Sequence, residues 1–137
     1  MRFAFSSPIS RKGQGALMPY LPLTLRYQGR DVKTHGLLDT GAAVSVLPFS
    51  IGLHLGAVWE DQTIPLQLGG NLAMSEARAL FVDVSVERFP DVQLAFAWTK
   101  ADNVPLLLGQ TNFFMEFDVL FVRSACFFEV FPKGSHY

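Results

Sequence analysis

The chain has 137 residues, of which 50% are hydrophobic and 17% charged, and this length and composition suit one folded domain and argue against disorder. Its 11 basic and 12 acidic residues give a net charge of −1, and no cluster of basic residues extends beyond Arg11-Lys12, so we expect no nucleic-acid partner. No apolar run approaches the roughly 18 residues that cross a bilayer, so we expect no membrane partner either.

The single cysteine, Cys126, narrows the possible chemistry further. It cannot form a disulfide within the chain, and its being alone excludes a metal site built from cysteines. One cysteine is consistent with a reducing compartment, and we expect a cytoplasmic location. Because Cys126 stands in an apolar run that reads as a strand, we predict a buried thiol.

Alternation of apolar and polar residues predicts strands along most of the chain. Residues 1–17, before the first strand, are interpreted as a flexible N-terminal arm and residues 134–137 as a loose tail, which leaves 18–133 as the domain. The alternating runs are, in chain order, residues 21–27, 32–38, 64–68, 80–87 and 92–98. The wholly apolar run 104–108 is typical of a strand buried on both faces, and residues 119–131 predict a closing hairpin or one long strand.

Helix is scarce in this pattern. Residues 48–55 have room for about two turns before Gly56. Asn112 is a suitable N-cap for a short helix whose phenylalanines would face inward. The predicted fold class is therefore all-β: a closed, mostly antiparallel β-barrel with one short helix in the C-terminal third.

A carboxylate interrupts the apolar run of residues 37–48, where the sequence reads Leu-Leu-Asp-Thr-Gly-Ala-Ala-Val-Ser-Val-Leu-Pro. Burying an ionised Asp39 without partners is costly, whereas Thr40 offers a hydroxyl donor and Gly41 permits a tight turn. The chain thus leaves the core for three residues, exposes a carboxylate and returns. The tripeptide alone is weak evidence, because chance supplies it in roughly one chain in twenty of this length. The apolar residues on both sides make a functional carboxylate the better interpretation.

A second motif, Val-Pro-Leu-Leu-Leu-Gly at residues 104–109, follows about seventy residues later, and a phenylalanine-rich helix is predicted after it. With the glycine-rich turn at residues 69–71 between them, the two motifs make the chain similar to the retropepsins. These are the single-domain aspartic proteases of retroviruses and their bacterial and eukaryotic relatives. The resemblance covers residues 19–132 and implies a homodimer that cleaves peptides or proteins without a metal or other cofactor.

The resemblance also implies roles for the residues of the first motif. Asp39 would be the catalytic aspartate, and Ala42 would complete the active-site loop. Thr40 would hydrogen-bond to Thr40 of the partner subunit and lock the two loops together. Gly41 would shape the loop and receive the substrate main chain.

The other two motifs acquire roles in the same way. Leu108 and Gly109 would end the strand that passes behind the active-site loop. Gly69, Gly70 and Asn71 would form the tip of a flap hairpin that closes over the peptide, although an ordinary hairpin turn is the alternative.

Two positions depart from the family pattern and leave a second function open. Where many retropepsins carry an acidic residue and a later arginine that form an ion pair, this chain has Ala43 and Gln110. The intact Asp39-Thr40-Gly41 favours an active endopeptidase, and the two departures leave room for a catalytically silent dimerisation or peptide-binding module. An unrelated small β-barrel would require both motifs to be coincidental. Ser45 has no adjacent histidine, so we interpret it as a hydrogen-bonding residue near the loop and not as a nucleophile.

Overall fold

The structure is a computed structural model that describes residues 1–8, 16–101 and 103–135. Its strands are β1 (Arg2–Ala4), β2 (Tyr20–Tyr27), β3 (Arg30–Leu38), β4 (Val46–Pro48), β5 (Ala77–Ser85), β6 (Val92–Thr99), β7 (Leu107–Leu108), β8 (Phe117–Val122) and β9 (Phe127–Pro132). Its α-helices are α1 (Phe49–His54) and α2 (Phe113–Glu116). Within the described ranges, no helix has the length and apolar character needed to cross a membrane.

Six strands close into a barrel in the order β2-β3-β7-β4-β6-β5. Strands β2 and β3 form a long antiparallel hairpin, with Tyr20 opposite Leu37 and Tyr27 opposite Arg30. Its turn is Gln28-Gly29, where φ is positive at both residues, as a two-residue hairpin turn of the favoured hand requires. The predicted all-β class and closed barrel are confirmed. Two pairs in the barrel are parallel, however, namely β3 with β7 and β4 with β6.

The predicted alternation decides which side chains fill the barrel. On β2, Leu21, Leu23 and Leu25 are buried, and the residues between them are partly exposed. The same alternation on β5 and β6 supplies six more core side chains, namely Leu80, Val82, Val84, Leu94, Phe96 and Trp98. Full burial of one such side chain stabilises the fold by about 1.5–3 kcal/mol, so the barrel gives the candidate site a rigid support.

A second, three-stranded sheet has the order β1-β9-β8 and shows that the predicted arm, residues 1–17, is wrong for residues 2–4. These residues form β1, which pairs with β9 so that Phe3 lies opposite Phe128. The two rings stack with centroids 5.3 Å apart, and Phe5 is also buried. Burial of Phe5 and packing of the partly buried Phe3 against Phe128 explain why the segment is held in place. Residues 9–15 of the predicted arm and residues 136–137 of the predicted tail lie outside the described residues.

Several predicted elements differ in detail from the structure. Residues 64–68 form no regular strand: they meet β5 at an isolated bridge between Pro65 and Arg78, where Leu66 donates to Ala77 and Ala79 donates to Ile64. Two short helices are present instead of one, the first within the predicted 48–55. Residues 119–131 form a hairpin, the first of the two predicted alternatives. The prediction of a buried Cys126 thiol in a strand is wrong, because Cys126 lies in the turn of this hairpin with φ of 56° and is half-buried.

Candidate active site

Asp39 stands at the point where β3 leaves the barrel. Its N–H donates to the carbonyl of Leu108 on β7 at 3.0 Å, which fixes the end of the strand. Its Oδ1 accepts a hydrogen bond from the N–H of Gly41 at 2.9 Å, and its own carbonyl accepts from Ala42 at 3.1 Å. The carboxylate is half-buried, whereas Thr40 and Gly41 are exposed. The result is a tight turn that holds one carboxylate oxygen and presents the group at the surface.

The segment that follows β7 passes beside this turn and is hydrogen-bonded to it. The N–H of Gln110 donates to the carbonyl of Ala42 and that of Thr111 to the carbonyl of Ala43, both at 2.9 Å. Residues 42–43 and 110–111 are therefore held side by side. Two distant parts of the sequence, each carrying one predicted motif, meet at this place.

Ser45 and Gly109 make the innermost contact between these two segments. Ser45 is fully buried, and its Oγ accepts a hydrogen bond from the N–H of Gly109 at 3.0 Å, so Ser45 hydrogen-bonds near the loop as predicted. A Cβ at position 109 would lie 2.5 Å from the carbonyl oxygen of Val44 and 2.8 Å from that of Ala42. Only glycine leaves enough room for this approach.

The side chain of Gln110 also contacts the turn. Its Nε2 donates to the carbonyl of Thr40 at 2.9 Å. Ala43, the position where many retropepsins have an acid, is exposed. The sequence identified both positions as departures from a pattern, but it gave no signal for the contact with Thr40.

A cleft of about 410 Å³ separates the Asp39 turn from residues 65–76, the segment before β5, which we call the arch. Gly69, Gly70 and Asn71 line the arch side of the cleft, so the structure brings the predicted flap tip and the predicted catalytic residue together. Asp39 is the one acidic side chain among the described residues of the lining. The lining residues that were not predicted are Val44, Val46, Gln67, Leu68, Leu72 and Leu107.

The arch is not the predicted hairpin of two regular strands. Its tip, Gly70–Leu72, is a single 3₁₀ turn, and Gln67 braces it by donating from Nε2 to the carbonyl of Ala73 at 3.0 Å. At its base, Arg78 donates to the carbonyl of Trp59 at 2.8 Å and lies over the indole ring. The arch is therefore joined to β5 at its base by the bridge between Pro65 and Arg78, whereas its tip is a turn without strand pairing.

Histidine, cysteine, aspartate and glutamate form no group of three or more that could hold a metal ion in the described part of the chain. The expectation of a site without metal or cofactor stays a prediction.

The fold matches solved structures, although no family model and no curated protein sequence matches the chain. A retropepsin-like aspartic protease from Rickettsia conorii superposes over 96% of this chain and 98% of its own, with a TM-score of 0.58 and 14% identity. The protease of EIAV, solved with the inhibitor HBY-793, covers 74% of this chain and 88% of its own, with a TM-score of 0.51 and 19% identity.

The chain has the retropepsin fold. The resemblance inferred from the motifs is thus confirmed at the level of the fold, over most of the chain. Both matched structures are named as proteases. At identities of 19% and 14%, their similarity to this chain is a similarity of fold.

Proposed function

We propose that this retropepsin-fold chain is an aspartic endopeptidase that acts as a homodimer, with Asp39 of each copy facing the other across a two-fold axis. The observation that carries the proposal is the placement of Asp39. A carboxylate is held by a hydrogen-bonded turn on one wall of a cleft, opposite the glycine-rich arch. Two aspartic proteases share this fold.

The need for a second copy follows from the acid count of the cleft. Asp39 is the one acid among the described lining residues, whereas metal-free hydrolysis of this type uses two carboxylates in different protonation states. A two-fold axis through the cleft supplies the second carboxylate from an identical chain. Thr40, which is exposed on a single chain, would then bond to Thr40 of the partner subunit.

The proposed reaction follows from placing these two carboxylates close together. They cannot both ionise easily, so they share one proton. The ionised carboxylate removes a proton from a water, whose oxygen attacks the scissile carbonyl carbon while the protonated carboxylate donates to the carbonyl oxygen. Collapse of the tetrahedral intermediate re-forms a C=O bond and breaks the C–N bond. The nitrogen leaves with the proton that the first carboxylate took from water, and one hydroxyl of the intermediate returns a proton to the second carboxylate. The arch containing Gly69, Gly70 and Asn71 would cover the peptide as a flap.

We expect cleavage of a long, apolar-rich peptide to be fastest in mild to moderate acid. One carboxylate must be ionised and the other protonated, so the rate should fall on both sides of an optimum. The measurement is the initial rate across the acid range, with and without a transition-state mimic that carries a hydroxyl in place of the scissile carbonyl. A chelator serves as the control and should leave the rate unchanged. A rate that rises steadily to alkaline pH would contradict the shared proton.

The terminal sheet β1-β9-β8 offers the second part of the proposed dimer interface. Strand β8 is an edge strand, and Leu120 at its centre is 51% exposed. Alternating side chains turn Leu120 and Phe131 away from the core face that carries Phe128 and Val130. The same face carries Asp118 and Glu129 beside these two apolar residues. An edge strand with exposed apolar side chains on its outer face favours association with another copy.

Leu120→Asp should therefore weaken the dimer by about tenfold or more, because it places a charge, and in a symmetric contact two like charges, at this sheet. Leu53→Asp is the matched control, since Leu53 is 49% exposed but lies on α1. Sedimentation equilibrium of both variants gives the dissociation constants. An equal effect, or none, would remove the terminal sheet from the interface.

The non-catalytic dimerisation or peptide-binding module remains the second candidate, and one observation favours it. Ala43 and Gln110 cannot form the ion pair found in many retropepsins. The Gln110 amide instead donates a hydrogen bond to the carbonyl of Thr40. Binding of the hydroxyl-bearing mimic without hydrolysis of any peptide across the acid range would support the module. Hydrolysis that is lost on mutation of Asp39 would support the enzyme.

A further inference from the structure

We infer that Gln110 is a positioning residue, which orients the Asp39 carboxylate through a single peptide unit of the turn. This inference rests on the proposed function. Three groups are hydrogen-bonded in a row: the Gln110 amide, the peptide unit between Thr40 and Gly41, and the Asp39 carboxylate. The Gln110 Nε2 donates to the carbonyl oxygen of Thr40 at 2.9 Å. The next N–H along the chain, that of Gly41, donates to Oδ1 of Asp39 at 2.9 Å.

The carbonyl of Thr40 and the N–H of Gly41 belong to one peptide unit, which is planar and rigid. Whatever fixes its carbonyl end therefore also fixes the direction of its N–H. Gln110 holds the carbonyl end, and the N–H end holds the carboxylate. Rotation of this peptide plane would break both hydrogen bonds at once, so the glutamine amide sets the orientation in which Asp39 is presented.

These two hydrogen bonds, joined by the Thr40–Gly41 peptide unit, form a relay from Gln110 to Asp39, and the backbone of Gln110 makes this relay stiffer. Its N–H donates to the carbonyl of Ala42 at 2.9 Å, so one residue holds the turn on both sides of Gly41. Hydrogen bonds in a chain also polarise one another. A carbonyl that accepts from Gln110 makes the Gly41 N–H a better donor to the carboxylate, and such a bond favours the ionised form.

This arrangement gives the departure at position 110 a function of its own. A neutral amide bound to a backbone carbonyl needs no acidic partner, which is consistent with alanine at position 43. Gln110 is exposed and at the surface of the site, so replacing it removes the relay without opening a cavity in the core. Asp39 is the one titratable group among the described lining residues of one chain's cleft, so in the proposed dimer the pH profile reports the pair of Asp39 carboxylates.

The test compares Gln110→Ala, Gln110→Glu and Gln110→Lys in the full-length dimer, at enzyme concentrations well above the measured dissociation constant. Loss of one hydrogen bond of this kind should lower kcat by about 3- to 10-fold. KM should change little, because the relay acts on the carboxylate and not on the substrate. In Gln110→Ala and Gln110→Glu, which both lack the donor to Thr40, the acid limb of the pH–rate profile should move to higher pH. Gln110→Lys, which restores a donor of similar reach, should recover most of kcat.

Gln62→Glu is the matched control for Gln110→Glu. The Gln62 amide also donates to a backbone carbonyl, that of Val58 at 3.1 Å, but it lies outside the cleft lining. The same chemical change should there leave kcat and the pH profile unaltered. A uniform loss of activity without a shifted profile and without recovery in Gln110→Lys would reduce Gln110 to a structural residue and overturn the inference.

A second readout separates this inference from the proposed function. In nuclear magnetic resonance spectra, the Gly41 amide proton should move upfield in Gln110→Ala, because its bond to Asp39 weakens. It should not move in Gln62→Glu. If the parent cleaves no peptide but the Gly41 signal responds in this way, the relay stands and the endopeptidase proposal fails. If the parent is active and the Gly41 signal is unchanged in Gln110→Ala, the relay is wrong.

Discussion

Asp39→Asn is expected to abolish peptide cleavage and to leave the folded dimer intact. Asparagine keeps the shape of the side chain and can still accept the Gly41 N–H through its amide oxygen. It can neither remove a proton from water nor share one with a second carboxylate. General acid–base catalysis accelerates a reaction by about 10²- to 10⁴-fold. Loss of both Asp39 carboxylates in a homodimer should therefore lower the rate by at least about 100-fold. The measurement is kcat/KM on the same apolar-rich peptide, with thermal unfolding and sedimentation to verify the fold.

The matched control is Asp83→Asn, which removes an exposed carboxylate on β5 that does not line the cleft. It should cleave at the parent rate. If Asp39→Asn were as active as the parent, Asp39 would not be the catalytic residue, and the aspartic-protease mechanism would lose its central group. If the parent itself were inactive, the silent module would be the better account.

The sequence predicted the barrel well because its strands carry a local signal. Strand β2 alternates buried leucines with partly exposed residues, and residues 80–84 of β5 and 93–96 of β6 follow the same alternation. Period-two burial requires no knowledge of the partner strand. Asp39 and Gly109 were also identifiable, because a carboxylate or a glycine inside an apolar run is locally anomalous.

The elements that were not predicted depend on partners far along the chain. Strand β1 has only three residues, too few to show a periodicity, and it pairs with β9, some 125 positions away. The arch differs from a hairpin because its first leg pairs with β5 at one isolated bridge, that of Pro65 with Arg78, and the chain then turns through a 3₁₀ tip instead of continuing as a strand. The bond from Gln110 to Thr40 spans 70 positions. Such contacts come from the closed barrel and not from local sequence.

Gly109→Ala is expected to damage both stability and activity. The added Cβ would lie 2.5 Å from the carbonyl oxygen of Val44, 2.7 Å from its carbonyl carbon and 2.8 Å from the carbonyl oxygen of Ala42. These atoms are backbone, so no change of rotamer can relieve the contact. Overpacking of this kind costs about 1–3 kcal/mol and occasionally more, and we expect the upper part of that range, because the Ala42 carbonyl is also held by Gln110. Urea unfolding at fixed protein concentration measures the change in the free energy of unfolding.

The effect of Gly109→Ala on catalysis should be larger than its effect on stability suggests. Relief of the contact must push the segment that carries Val44 and Ala42 away from Gly109, and this segment continues directly from Asp39. A displacement of about 1 Å can cost about 100-fold in rate, so we expect a loss of that order in kcat. Gly69→Ala is the control for stability, since its φ is −105° and an added Cβ meets nothing within 4 Å. Its free energy of unfolding should stay within about 0.5 kcal/mol of the parent. If Gly109→Ala unfolded at the parent urea concentration and cleaved at the parent rate, the close approach behind the active-site loop would have no role in positioning Asp39.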